Sequence, residues 1–144
     1  MTVMGQALIS WQDDSDHVEE TPMRILDFDH VNLAMPRGEE DKARAFYGRV
    51  LGLSELKKPA GLQGRGGCWF GNSTLQVHLG IEDDFRPAKR AHPAFLVEGL
   101  DELKARCEAA GHKVIDDREN PDYHRFFTND PFGNRIECME RIKV

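Results

Sequence analysis

Apolar and polar positions along the chain fall into two runs of the same five-part order. In "ILDFDHVNLA", residues 25–34, the alternation is partial. Val31 and Leu33 share one face while Phe28, His30 and Asn32 share the other, which predicts a strand. The period then lengthens. "PRGEEDKARAFYGRVLGL" sets Ala43, Phe46, Tyr47, Val50 and Leu51 on one stripe, as in an amphipathic helix. Glu39, Glu40 and Asp41 occupy its first turn, where the helix dipole favours them, and Gly52 supplies the stop. Short strands are predicted at about 53–57, 66–71 and 74–81, separated by Gly, Pro and Asn. The polar connector "IEDDFRPAKRA" ends this copy, and the order restarts. "HPAFLVE" reads as a strand, "GLDELKARCEAAG" as a helix closed by Gly111, and "HKVID", "HRFFT" and "NRIECME" as three more strands. Asp-Pro and Gly-Asn in "NDPFGN" give the last turn strong turn chemistry. The repeat is β-α-β-β-β twice, an α+β domain of mixed or antiparallel sheet with helices outside.

Each copy carries a metal-type ligand near its start and near its end: His30 and His78 in the first, His92 and Glu137 in the second, at nearly equal separations. Two copies related by a pseudo-twofold axis would bring the four to one point. Strand alternation agrees, since each opposes an aliphatic face that would pack against a helix: His78 opposes Val77 and Leu79, and Glu137 opposes Ile136 and Cys138. Three imidazoles and a carboxylate suit Zn, Fe, Mn, Co or Ni, and not an all-oxygen Ca or Mg site. If only three bind, His30, His92 and Glu137 form a two-His-one-carboxylate set suited to Fe(II). His78 then lines the cavity. His17, His112 and His124 are read as ordinary surface or core histidines. Arg65, in "LQGRGGCWF", is a candidate anion clamp. Of Trp69, Phe70, Phe126 and Phe127, some must be core and one or two line the cavity. Asn32, Arg65, Trp69 and Phe126 are the candidate substrate contacts.

Charge removes some alternatives. Residues 1–22 contain Asp13, Asp14, Asp16, Glu19 and Glu20 with no Lys or Arg, so most of the net charge of −6 sits in this acidic leader. The remaining domain, 23–144, is nearly neutral, which argues against a nucleic-acid surface. No apolar run is long enough to span a membrane, and the N-terminus lacks the basic start and apolar stretch of a signal peptide, so a cytoplasmic location is expected. Cys68, Cys107 and Cys138 lie in no CxxC pair and read as small buried residues.

The segments "DHVNLAM", "ARAFYGRVLGL", "AHPAFLVEGLDELKARCEAAGHKV" and "FFTNDPFGNRIECME" resemble the vicinal oxygen chelate superfamily. That group includes glyoxalase I, fosfomycin-resistance thiol transferases, extradiol dioxygenases and bleomycin-resistance proteins. The resemblance covers about residues 25–141. It implies two βαβββ modules, at about 25–81 and 91–141, curving around a central cavity. It also implies a divalent metal on His30, His92 and Glu137, with His78 where glyoxalase I has a glutamate. Three activities follow as expectations: a glyoxalase-like lyase or isomerase with Glu137 as base, an Fe(II) extradiol-type dioxygenase, or a metal-free small-molecule binder like the bleomycin-resistance proteins. A homodimer is implied by the same analogy, in some members with each site built from both subunits. The loop "DDRENPDYH" lacks the Lys/Ser pattern of the fosfomycin enzymes, and Asn32 stands in place of their threonine, so fosfomycin resistance is not expected.

Overall fold

In a computed structural model of the chain, the structure describes residues 21–143 together with Ser10. The acidic leader thus falls, except for Ser10, Thr21 and Pro22, outside the described residues. The first module runs β1 (Val31–Met35), α1 (Glu40–Ala43) continuing as a π-helix (Arg44–Val50), β2 (Ser54–Leu56), β3 (Cys68–Gly71) and β4 (Gln76–Ile81). The second runs β5 (Ala94–Leu96), α2 (Leu100–Ala109), β6 (Ile115–Asp117), β7 (Tyr123–Asn129) and β8 (Arg135–Arg141). The strands form two separate four-stranded sheets, ordered β1-β4-β3-β2 and β5-β8-β7-β6. In each, the first strand pairs parallel to the last and the other pairs are antiparallel. The duplicated order read from the sequence is therefore the architecture, as two open mixed sheets and not a closed barrel.

Two local differences have physical causes. The strand predicted for 25–34 begins only at Val31, because Val31 aligns with Val77 and β4 itself starts at Gln76. Residues before His30 have no neighbouring strand among the described residues. A short 3₁₀ segment at Ala60–Arg65, absent from the sequence reading, follows Pro59 and carries Arg65 to its end.

The amphipathic stripe of the first helix is buried as its spacing requires, with Ala43, Phe46 and Tyr47 fully enclosed. Its second half is wound wider: the Leu51 N–H reaches the Phe46 carbonyl, an i→i+5 bond. Met35, Phe70, Val77 and Leu79 from the first sheet and Phe126, Ile136 and Cys138 from the second complete one continuous core with Leu100 and Cys107 of α2.

A buried polar clamp joins the modules. Asp130, in the "NDPFGN" turn, accepts the Tyr47 hydroxyl at 2.7 Å and the Asn134 side-chain amide at 2.8 Å. The Asn134 amide also donates to the Ala34 carbonyl at 2.8 Å. The other Asp130 oxygen accepts the backbone N–H groups of Phe132 and Asn134. Every partner is satisfied, so the clamp holds register without leaving a buried group unpaired.

Candidate functional site

The face of each sheet turned away from the helices carries the candidate chemistry. On the first sheet, His78 pairs in register with Asn32 on one side and Trp69 on the other. Its ring stacks on Trp69 at 3.7 Å and beneath His30 at 4.0 Å between centroids. On the second, Glu137 pairs in register with Ala94 and Phe127. His92 Nε2 lies 3.9 Å from Glu137 Oε2, and the His92 ring meets Phe127 edge-on at 5.6 Å.

The hydrogen bonds separate the four ligand candidates. His30 Nδ1 is paired with Asp29 at 2.8 Å, and His92 Nδ1 with the Arg90 carbonyl at 2.8 Å. Both leave Nε2 for a ligand, with the other nitrogen held by an oxygen, the usual second-layer arrangement of a metal-bound histidine. Glu137, 6% exposed, receives Arg125 on Oε1 at 2.9 Å while Oε2 faces His92. His78 differs. Its Nε2 is engaged by the Gln76 side-chain oxygen at 2.9 Å, and burial together with His30 lowers its tendency to protonate. The donor set that remains is His30, His92 and Glu137, chemistry that fits a borderline transition metal.

The four residues do not meet at one point within the chain. His30 gathers with His78, and His92 with Glu137. Among the described residues, no three side chains of His, Cys, Asp or Glu come close enough together to hold a metal ion. The expectation that the pseudo-twofold unites all four is corrected here, since the modules keep their sheets apart. His30, His78, Trp69, Asn32 and Arg65 line one concavity of about 460 Å³. His92 lines another of about 380 Å³, which it shares with Asn32.

Arg65 lines the same concavity as His30. Trp69 lies on the site face and Phe70 in the core. Phe126 is a correction: at 1% exposed it belongs to the core, and strand alternation puts Phe127 on the site face in its place. His112 pairs with the Asn129 carbonyl and stands apart from these pairs.

Arg125 and Asp117 were missed in the sequence. Arg125 bridges Glu137 and Asp117, each at 2.9 Å, and its buried Nε has no partner among the described residues. The Glu119 N–H, followed by Arg125, holds the Asp117 carboxyl below the usual carboxylate range. The signal was available: alternation along 123–129 sets Arg125 on the same face as Phe127, diagonal to Glu137 across the ladder.

The sequence model of the Glyoxalase/Bleomycin resistance protein/Dioxygenase superfamily matches residues 27–138. No curated protein matches at a significant level. Among solved structures, a glyoxalase family protein from Bacillus anthracis is 50% identical, with a TM-score of 0.80 over 85% of this chain and 100% of that one. The fosfomycin resistance protein FosX from Listeria monocytogenes shares the fold at 17% identity and a TM-score of 0.68, over 83% and 96% of the two chains. A FosX variant solved with Mn(II) and a dihydroxypropylphosphonic acid is 18% identical, with a TM-score of 0.66 over 80% and 90%. The duplicated βαβββ order, the paired mixed sheets and the match across most of its length agree: this chain belongs to the Glyoxalase/Bleomycin resistance protein/Dioxygenase superfamily.

Proposed function

We propose that the protein is a metal-dependent enzyme acting on a small substrate with two adjacent oxygens, and that His30 of one copy with His92 and Glu137 of a second copy form its metal site in a homodimer. One observation carries the reading. Each of the three residues leaves one coordinating atom without a hydrogen bond among the described residues, while its other polar atom is tied to Asp29, Arg90 or Arg125. Mn(II) in a FosX structure supports a divalent metal in this fold. When bound, the metal supplies Lewis acidity toward the substrate oxygens and stabilises an oxyanion or enolate.

The remaining roles belong to the chain. Arg125 keeps Glu137 Oε1 occupied, so ligation and any proton transfer in a lyase or isomerase step draw on Oε2. The Trp69–His78 stack and Phe127 give the substrate flat apolar walls. The Asn32 amide and Arg65 guanidinium at the concavity supply hydrogen bonds to its oxygens.

Elemental analysis tests the site on wild type, His30→Ala and Glu137→Ala. Near-stoichiometric transition metal in wild type, lost in both variants, is expected. Unchanged trace metal in all three sinks the metal reading and leaves a metal-free binder. Mixing the two variants then tests sharing between subunits. Each mixed dimer would regain one intact site, about a quarter of wild-type metal at random assortment, whereas sites within one chain give no recovery.

His78's engaged nitrogen favours a second reading, since His30, His92 and Glu137 alone are the set used by Fe(II) dioxygenases. Anaerobic loading with Fe(II) and an oxygen electrode decide it. Uptake with catechol-type diols supports this chemistry, and none with any diol removes it.

A further inference from the structure

Four large apolar side chains just before β1 touch almost nothing. Met23 is 88% exposed, Ile25 87%, Leu26 80% and Phe28 94%. Scattered exposed apolar residues are common on soluble proteins, but four within six positions make a patch that calls for a cover. An extended chain sends Met23 and Ile25 to one side and Leu26 and Phe28 to the other. A flat surface would cover only half of them. A cleft with two walls covers both.

Such a cleft lies at the junction of the modules. It encloses about 310 Å³, with Leu53 and Leu75 of the first module on one wall and Phe95, Val97 and Leu103 of the second on the other. Leu96 at its rim is 60% exposed. Glu98 also lines it, with Glu102 and Arg106, which pair with each other. Glu98 has no ion-pair partner among the described residues, and neither has Arg24 of the arm. Apolar side chains and charges thus match in kind.

We infer that residues 23–28 form a strap that seats in the inter-module cleft of a second copy, with Arg24 meeting Glu98. Among the described residues the fold leaves these side chains in solvent, and a second copy is the occupant that supplies two walls without rearranging the core. The strap leads directly into Asp29 and His30. Seating it fixes the residue that lacks its completing ligands in its own chain. The inference shares only the dimer with the proposed function, and its test uses metal-stripped protein, so loss of the metal reading leaves it standing.

Dimer dissociation is measured by sedimentation on metal-stripped wild type, Phe28→Asp, Arg24→Glu, Glu98→Arg and the double charge swap. All three positions are exposed, so the fold survives, and far-UV dichroism checks that it does. Phe28→Asp is expected to weaken the dimer at least about tenfold, as loss of an apolar anchor does. Each single charge swap should weaken it about two- to threefold, and the double swap should restore it. A monomeric wild type, or a Phe28→Asp dimer as tight as wild type, overturns the strap. A double swap no better than the singles overturns the cleft as its seat.

Discussion

At the scale of single residues, conformation and burial fix several outcomes. Gly67 has φ +77°, and a Cβ there would lie 2.1 Å from the Leu79 carbonyl oxygen, which is backbone and cannot move aside. Gly67→Ala should therefore cost about 2–4 kcal/mol, read as a lowered midpoint in urea. The three thiols are all buried, and burial pushes Cys68 and Cys107 up to about 11 and Cys138 to about 12. A thiol reagent at neutral pH should find none of them in the folded protein and all three after denaturation, and a fast-reacting native thiol would contradict this. Arg125 is the residue most informative for the site. Arg125→Met removes the partner of Glu137 Oε1 while keeping bulk, and should lower metal affinity about 10- to 100-fold.

At the scale of elements, α2 is capped from a distance. Its N-terminal residues have no side-chain cap of their own, and Glu140 on β8 accepts the Gly99 and Leu100 N–H groups at 3.1 and 2.9 Å. Those bonds, Leu100 first, hold the Glu140 carboxyl below its ordinary value of 4.5. A lowered folded-state value means the cap stabilises fully above about pH 4.5 and is lost as pH falls through that lower value. Glu140→Gln should accordingly lower the neutral plateau of the stability profile and leave the acid end little changed, so that the acid limb flattens. Element order was legible because period and punctuation carry it: the stripe Ala43, Phe46, Tyr47 and the alternation Val77, His78, Leu79 each name a buried face. The start of β1 was not, because a strand ends where its neighbour ends, and residues 25–30 alternate well enough without one. Phe126 and Phe127 show the same limit, since adjacent aromatics give no sign of which faces inward until the register is known. Arg125 was legible in face but not in role, which depends on Glu137 lying across the ladder.

At the scale of the whole molecule, the two halves are coupled by few polar groups, and those few are buried. Asp130→Ala would strand the Tyr47 hydroxyl and the Asn134 amide, both buried, and should destabilise the chain by about 3 kcal/mol or more, measured by thermal or denaturant unfolding. The separation of His30 from His92 and Glu137 was not visible in the sequence, because repeat spacing gives the symmetry of two modules but not how their sheets face each other. The clamp also bears on synthesis. Every strand partner of the first sheet has emerged by Ile81, so that sheet can form while the second module is still being translated. Asp130 and Asn134, which fasten it to the second half, follow Ile81 by about fifty residues. Until they leave the ribosome, Tyr47 faces a missing acceptor, and the nascent chain holds its first module unlatched while the second is being made.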